Sequence, residues 1–318
     1  MIPTLVHKGL DGRSGTLTET VGDLVRLYAS RTQLRGMHAA RRGLRLPVTL
    51  RRRRRGSIYA VTMVKNEIDV LPGTLDNLVN QGVDHIVVAD NGSTDGTLEW
   101  LMAARGAYPL TVFRDKEPAY YQAIKVTRLA HYAQRQGAEW IVPFDADERW
   151  MAPGQTVAEF LRGCDADIVT GEIHNVFPTR GAEGELVFNR FDTHPHPDVK
   201  VVFRSHPLSS VLEGNHLVIR PGTVTAGLRI AHFPWRSRDQ LVRKVRNGTE
   251  ALKAGGYDEG VGTHWQHLAS QRDDEIDALW ERLLRGENSE EFGWSPVGPF
   301  VTVDPTRWRT WPATDPQA

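Results

Sequence analysis

Phe144-Asp145-Ala146-Asp147-Glu148 follows the short apolar run Glu139-Trp140-Ile141-Val142-Pro143, and this stretch decides the fold. A brief apolar run of this kind predicts a buried strand. Because successive strand side chains point to opposite faces, the carboxylates of Asp145 and Asp147 converge only if the backbone turns after the strand. Converged, they offer hard oxygen ligands, which suit Mg²⁺ or Mn²⁺ carrying substrate phosphates. The alternative interpretation is a solvated acidic turn.

Two earlier segments repeat the pattern of an apolar strand that ends in polar residues. Residues 58–64 form an apolar run before Lys65-Asn66-Glu67, and residues 85–89 form another before Asp90-Asn91. Amphipathic segments between and after these strands predict helices over residues 68–81, 98–104 and 121–136. Alternating strands and helices predict an α/β fold with a mostly parallel sheet flanked by helices.

The carboxyl ends of parallel strands lie at one edge of such a sheet, where ligands bind. The three polar clusters that follow the predicted strands are therefore expected to form one site. Asp90 and Asn91 have hydrogen-bonding groups that suit a nucleobase edge or ribose hydroxyls. Ser93, Thr94 and Asp95 are instead expected to cap the next helix.

The composition is that of an ordinary soluble protein of 318 residues, and no apolar run is long enough to span a bilayer. The single cysteine, Cys164, excludes an internal disulfide and is typical of a reducing compartment. The N-terminus lacks the apolar segment of a signal peptide. These features predict a cytoplasmic protein that associates peripherally with the inner face of the membrane if its basic arm binds lipid.

Residues 1–56 are predicted to be a basic arm with one helix near residues 20–40. Residues 1–55 contain 13 Lys and Arg against 3 Asp and Glu, a net charge of about +10, although the whole chain sums to zero. Arg51–Arg55 are five consecutive arginines. They are interpreted either as a solvated run or as a contact with an anionic membrane. Without interleaved aromatic residues, the run gives little support for nucleic-acid binding.

The ordered motifs resemble those of the glycosyl transferase family 2 enzymes. The residues that carry the resemblance are Val64-Lys65-Asn66-Glu67, the segment 82–88, Asp90-Asn91-Gly92-Ser93-Thr94-Asp95-Gly96-Thr97 and Asp145-Ala146-Asp147-Glu148. The resemblance is to the bacterial branch with Lys-Asn-Glu and Asp-x-Asp-Glu, and it is strong over residues 57–150 and looser to about residue 250. It implies a GT-A fold, a nucleotide-diphosphate sugar donor and an inverting transfer that depends on Mn²⁺ or Mg²⁺.

The resemblance also implies roles for individual residues of this sequence. Asp145 and Asp147 would bind the metal, with His232 as a third ligand or a phosphate contact. The donor-binding residues would be Met63, Val64, Asn66, Glu67, Asp90, Asn91, Gln122 and Asp145. An inverting transfer needs a carboxylate to accept the acceptor's proton, and Glu213 and Asp198 are the candidates. Diphosphate contacts are expected among Lys200, Arg204, Arg236 and Lys244.

The predicted domains are the arm over residues 1–56, a GT-A domain over residues 57–235 and a helical C-terminal extension over residues 236–318. A further helix is expected from about Trp150, and residues 180–197 are expected to be a polar loop near a carbohydrate-type acceptor. Two other functions stay open. A nucleotidyltransferase has a related sheet, but would carry a glycine-rich basic loop where this chain has Lys65-Asn66-Glu67. A non-catalytic carbohydrate-binding protein would keep the sheet without turnover.

Overall fold

The computed structural model describes residues 15–48, 50–52, 54–255, 268, 270–289 and 293–312. Residues 1–14, Thr49 and Arg53 of the predicted arm therefore lie outside the described residues, as do parts of the predicted C-terminal extension. In chain order the helices and strands are α1 (Leu17–Tyr28), α2 (Arg31–Gly43), β1 (Ile58–Val64), α3 (Leu71–Asn80), β2 (His85–Asp90), α4 (Thr97–Ala104), β3 (Leu110–Arg114), α5 (Gln122–Arg135), β4 (Trp140–Pro143), β5 (Glu148–Met151), α6 (Val157–Gly163), β6 (Ile168–Arg180), β7 (Leu186–Asp192), β8 (Val199–Arg204), β9 (Ser210–Val211), β10 (Val218–Ile219), β11 (Val224–His232), α7 (Arg238–Gly255), α8 (Asp273–Arg285) and β12 (Phe300–Thr302).

The predicted parallel strands form one half of the large sheet. β3, β2, β1 and β4 lie side by side in that order, and all three pairs are parallel. Their burial is nearly continuous, as expected for strands covered on both faces. One buried core packs α3, α4 and α6 against the sheet, and a second packs α5 against it. The α/β prediction is confirmed.

The other half of the sheet runs mainly antiparallel. β8 pairs antiparallel with β4 and with β6, and β7 and β12 extend the sheet beyond β6. β11 lies parallel to β6 and antiparallel to the short β5. Because β8 is antiparallel to β4, its first residues lie at the carboxyl end of β4. This reversal brings residues that are distant in sequence to the edge where Asp145 lies.

Three local expectations differ from the structure. The helix expected near residues 20–40 is two helices, because Ser30 adopts an extended conformation between α1 and α2. No helix begins at Trp150; this side chain is buried in β5, which pairs with β11, and the next helix begins after the capping box of Thr156. The expected loop over residues 180–197 contains β7, which forms a hairpin with β6.

The C-terminal part combines helices with a strand. α7 and α8 pack around Trp235, Trp280 and neighbouring apolar side chains. β12 then joins the sheet edge at β7. None of the helices in the described ranges has both the length and the apolar character that crossing a membrane requires.

Candidate active site

A cavity of about 420 Å³ opens at the carboxyl ends of β1, β2 and β4. The strand ends contribute Met63, Val64, Lys65, Asn66, Glu67, Asn91, Asp145, Ala146 and Asp147. The later part of the chain contributes Lys200, Glu213, Gly214, His216, His232, Arg236, Gln240, Arg243, Lys244, Asn247, Gly248, Ala251 and Trp294, and the segment before and at the start of α5 contributes Tyr120 and Gln122. The predicted convergence of the three polar clusters therefore occurs.

The loop after β1 is held to the loop after β2 by side-chain hydrogen bonds. The Asn66 backbone N–H donates to Ser93 Oγ at 2.9 Å, and Asn66 Oδ1 accepts from the Thr94 backbone N–H at 2.7 Å. Asn66 has a positive φ of 59°, which asparagine tolerates better than most residues. Ser93 and Thr94 thus order the cavity wall, a function that the capping interpretation did not anticipate.

Asp90 and Asn91 have different places in the site. Asp90 is buried, and its Oδ1 accepts hydrogen bonds from the backbone N–H groups of Gly92 and Ser93. Asn91 lines the cavity, and its Nδ2 donates to Asp115 Oδ2 at 2.8 Å and to the Glu117 carbonyl oxygen at 2.6 Å. Asn91 is therefore oriented by the segment after β3, whereas Asp90 orders the turn behind it.

Asp145 is held by three side-chain donors from distant parts of the chain. Its Oδ1 accepts from Gln122 Nε2 at 3.2 Å and from Asn215 Nδ2 at 3.0 Å, and its Oδ2 pairs with Lys200 Nζ at 2.5 Å. Lys200 Nζ also lies 2.8 Å from Glu148 Oε1. One buried ammonium thus bridges two carboxylates of the acidic turn, which counters their mutual repulsion.

Glu148 is the fully buried member of the acidic turn. Its Oε2 accepts from the Asp145 backbone N–H at 3.0 Å and from Trp150 Nε1 at 3.2 Å. Burial, opposed by the Lys200 ammonium, raises the pKa of Glu148 to about 7. The bonds to its own turn indicate that Glu148 shapes the turn that directs Asp145 and Asp147 to the same side.

Asp147 is buried and is surrounded by nitrogen atoms of the C-terminal half. Its Oδ2 lies 2.7 Å from Lys244 Nζ and 3.5 Å from Arg236 Nη1, and its Oδ1 lies 3.7 Å from His232 Nε2. Burial alone would raise the pKa of Asp147, but Lys244 and His232 hold it well below its usual value. Asp147 is therefore ionised and available as an anionic ligand.

His232 faces Asp147 in a defined orientation. Its Nδ1 lies 2.9 Å from Asn175 Oδ1, which can only accept, so Nδ1 donates and Nε2 is the unprotonated nitrogen when the ring is neutral. Burial lowers the pKa of His232, although the Asp147 carboxylate opposes this effect. A neutral imidazole with one nitrogen fixed by an oxygen acceptor is the usual arrangement of a metal-binding histidine.

The residues fit a divalent cation in part. Asp147 and His232 combine an anionic oxygen with an oriented imidazole nitrogen at the cavity wall. Both carboxylates of the motif already have cationic partners, Asp147 in Lys244 and Arg236 and Asp145 in Lys200. Within the described ranges, no group of three or more His, Cys, Asp and Glu is arranged to hold a metal ion. A cation held here would therefore need further ligands from a bound substrate or water.

Arg236 bridges the two walls of the cavity. Its guanidinium bonds to Glu67 Oε2 at 2.5 Å and to Asp69 Oδ2 at 2.7 Å, beside Asp147. These carboxylates raise the pKa of Arg236 against the effect of its burial, and burial, opposed by Arg236, raises the pKa of Glu67 to about 7. The arginine stays charged, so it ties the start of the α7 segment to the Lys-Asn-Glu loop.

The two candidate base residues lie in different environments. Glu213 lines the cavity near the half-buried Tyr120, whose pKa is raised well above its usual value by desolvation and by the Glu213 carboxylate. Asp198 is not among the lining residues; 57% of its side chain is exposed, and its Oδ2 lies 3.7 Å from His196 Nδ1. The structure therefore brings Glu213 to the site and leaves Asp198 outside the cavity.

Among the cations expected at the diphosphate, Lys200, Arg236 and Lys244 line the cavity and Arg204 does not. Arg204 ends β8 at the opposite edge, where it pairs with Glu139 and stacks over Trp140. The cavity residues that sequence reasoning did not assign to the site include Tyr120, Gly214, His216, Gln240, Arg243, Asn247, Gly248 and Ala251. Helical spacing of Gln240, Arg243, Lys244 and Asn247 was the one available signal, because it gives α7 a polar stripe.

Comparison with known proteins identifies the domain. Residues 59–208 match the family model described as Glycosyl transferase family 2. The S. aureus protein TarS (residues 1–349) in complex with UDP is 14% identical with a TM-score of 0.35, over 70% of this chain and 78% of that chain. Glucosyl-3-phosphoglycerate synthase from Mycobacterium tuberculosis, in complex with Mn²⁺, UDP and phosphoglyceric acid, is 20% identical with a TM-score of 0.27, over 46% of this chain and 47% of that chain. No curated protein matches the chain. Residues 59–208, just under half of the chain, therefore match glycosyl transferase family 2, and this match supports a glycosyltransferase enzyme.

Proposed function

We propose that the protein transfers a sugar from a nucleotide-diphosphate sugar to an acceptor hydroxyl with inversion, assisted by Mn²⁺ or Mg²⁺. The observation that carries the proposal is the meeting of Asn91, Asp147 and His232 with Arg236 and Lys244 in one cavity. Such a cavity offers polar groups for a nucleoside and positive charge for a diphosphate. The roles of the individual residues in this cavity are predictions.

In this proposal the strand ends bind the nucleoside half of the donor. Asn91 is fixed by Asp115 and by the Glu117 carbonyl, so its remaining polar atom faces the ligand in one orientation. Met63 and Val64 line the cavity beside it, and the Val64 carbonyl accepts from the Asn91 backbone N–H at 2.8 Å. Asp90 acts indirectly through the turn that it orders, and Gln122 acts indirectly by orienting Asp145.

The leaving nucleoside diphosphate gains negative charge as the anomeric bond breaks. Asp147 and His232 would hold the divalent cation, which supplies positive charge to the phosphate oxygens when it is bound. Lys244, Arg236 and Arg243 line the same part of the cavity and would neutralise the remaining charge. Displacement of Lys244 from Asp147 by a bound cation would free its ammonium for the phosphates.

Glu213 is the proposed general base. It lines the cavity, so it would accept the proton of an acceptor hydroxyl bound there. The Glu213→Gln substitution is expected to lower kcat by about two to four powers of ten, the usual contribution of a general base. Glu99→Gln, on the exposed face of α4, is the matched control. An unchanged kcat in Glu213→Gln would exclude the role.

The direct test is product analysis with a panel of nucleotide sugars. We expect the full-length protein with Mn²⁺ to release nucleoside diphosphate and either free or transferred sugar, and chelation by EDTA to abolish the release. Release of pyrophosphate would identify a nucleotidyltransferase instead. Binding of donor without turnover under every metal condition would identify a carbohydrate-binding protein that keeps only the sheet. Full activity in EDTA would support sugar transfer but would contradict the proposed role of the cation.

A further inference from the structure

The exposed face of α2 combines cationic and apolar side chains without any acidic residue. Successive residues of a helix are rotated by about 100°, so the exposed positions fall on one broad side of α2. That side carries Arg31, Leu34, Arg35, Met37, His38, Arg41 and Arg42. The opposite side is small and buried, since Gly36 and Ala40 pack against Tyr121 and Ile124.

Apolar exposure is concentrated in this part of the chain. Of the ten large apolar side chains that are exposed in the described residues, seven lie between Leu17 and Leu50. The arm therefore exposes more apolar side chains than the rest of the described surface. Leu34 is 53% exposed and Met37 is 41% exposed, both among the arginines of α2. α1 adds Leu17, Val21 and Val25 at intervals of four residues. Exposed apolar groups on adjacent helices indicate a surface that a partner covers.

A basic groove borders the same face. It measures about 790 Å³ and is lined by Leu34, Arg35, His38, Ala39, Arg42, Gly43, Arg45, Lys116 and Glu117. Arg35, Arg42 and Arg45 are exposed, and no ion pair is found for them in the described part of the chain. Three arginines and Lys116 therefore outnumber the one acidic lining residue, Glu117, beside the apolar side chain of Leu34.

We infer that the exposed face of α2 and its basic groove form a docking surface for an anionic lipid bilayer. Aliphatic side chains interleaved with arginines suit the boundary between headgroups and acyl chains, where the arginines contact lipid phosphates while Leu34 and Met37 enter the apolar layer. A protein partner is disfavoured, because it would need acidic groups for the arginines on every side of the apolar contacts to Leu34 and Met37. Nucleic acid is disfavoured because this face of α2 has no aromatic residue to stack on bases.

The docking surface is physically close to the catalytic cavity. α2 packs on Tyr121 at the start of α5, and the next residue, Gln122, lines the cavity. Glu117 lines the groove, and its carbonyl accepts the hydrogen bond of Asn91. Arg51 and Arg54 lie elsewhere: their backbone N–H groups donate to the Arg135 and Gly137 carbonyls, at the other end of α5. The inference thus rests on α2 rather than on the arginine run.

The test is co-sedimentation of the full-length protein with vesicles. We expect binding to mixed phosphatidylcholine and phosphatidylglycerol vesicles, weakening as salt is added, and little binding to phosphatidylcholine alone. Arg35→Gln and Arg42→Gln are each expected to weaken binding about fivefold, because a basic residue at an anionic surface contributes on the order of 1 kcal/mol. Arg105→Gln removes the same charge from the exposed end of α4 and should have no effect.

The apolar contribution is tested separately with Leu34→Ser and Met37→Ser combined. We expect this variant to lose about tenfold or more in binding to anionic vesicles, since two apolar side chains no longer leave water. Because both positions are exposed, we expect the variant to fold like the wild type. Circular dichroism and the melting temperature check this expectation. Equal binding by wild type and all variants would overturn the inference. Exclusive binding to homopolymeric nucleic acid, or a concentration-dependent dimer that Leu34→Ser disrupts, would assign the surface to that partner instead.

Discussion

The two walls of the cavity are built in different ways. The strand wall comes from residues 63–67, 91 and 145–147, which follow three adjacent parallel strands and carry acidic and amide groups. The opposite wall contains Lys200, His232, Arg236 and Lys244, which come from an antiparallel strand, the end of β11 and α7. The acidic motif is thus neutralised by cations that no local sequence pattern connects to it.

The two carboxylates of the acidic motif are not equivalent. Asp145 is 30% exposed in its side chain and is fixed by a lysine, a glutamine and an asparagine. Asp147 is buried beside His232 and two cationic side chains, Lys244 and Arg236. Each carboxylate has a cationic partner, and in the proposed mechanism Asp147 would exchange Lys244 for a metal ion.

The largest effect is expected for Asp147→Asn. Loss of the proposed metal ligand should lower kcat by about two to three powers of ten, because a bound metal contributes several kcal/mol to the transition state. Mn²⁺ binding, followed by calorimetry with the nucleoside diphosphate present, should be lost as well. Asp145→Asn should retain more of the Mn²⁺ affinity, and Asp304→Asn is a control outside the cavity. Equal loss of affinity in both variants of the motif would remove the distinction between them.

The next effect concerns stability and tests the ammonium that joins Asp145 and Glu148. Lys200→Met should lower the free energy of unfolding by about 3 kcal/mol, since it leaves the buried Glu148 and the partly exposed Asp145 without their cation. Urea denaturation measures this change, and Lys253→Met, on the exposed side of α7, should change it by less than about 0.5 kcal/mol. Adding Glu148→Gln to Lys200→Met should recover part of the loss. A neutral Lys200→Met variant would contradict the bridging role.

A smaller effect is expected for Lys244→Met. Its ammonium lies 2.7 Å from Asp147, and in the proposed mechanism it also contacts the donor diphosphate. Removing this charge-assisted contact should lower kcat/KM for the donor by about tenfold, since such hydrogen bonds contribute on the order of 1.5–3 kcal/mol. Steady-state kinetics at saturating Mn²⁺ provide the measurement. In the proposed mechanism the metal and Lys244 both neutralise the phosphates. If Lys244→Met had the kcat/KM of the wild type at high Mn²⁺, Lys244 would not contact the donor and would act only in the free enzyme.

The smallest effect is a change in the pH dependence of stability. Burial first, and then the Lys200 ammonium, lower the pKa of His216 to about 4. The unfolded chain has a histidine pKa of about 6.5, so it binds the proton more tightly, and wild-type stability falls as pH decreases from about 6.5 to about 4. Melting temperatures of His216→Gln should decrease less steeply over this window. Parallel curves for the two proteins would show that His216 makes no such contribution.

The sequence predicted the strand wall because its signals are local. Apolar runs followed by Lys65-Asn66-Glu67, Asp90-Asn91 and Asp145-Ala146-Asp147 identified three strand ends, and parallel pairing requires such ends to lie at one edge. The hairpin of β6 and β7 and the strand at Glu148–Met151 were missed, because their stability comes from pairing with distant strands rather than from local propensity.

Local sequence patterns were enough to predict the α/β alternation and the residues that form the strand wall. Only the tertiary structure decided that β8 runs antiparallel to β4, that Lys200 thereby reaches Asp145, and that α7 places Lys244 on Asp147. The physical reason is the range of the interactions. Strand and turn preferences act over a few residues, whereas the pairing of buried charges depends on where distant segments return to the sheet.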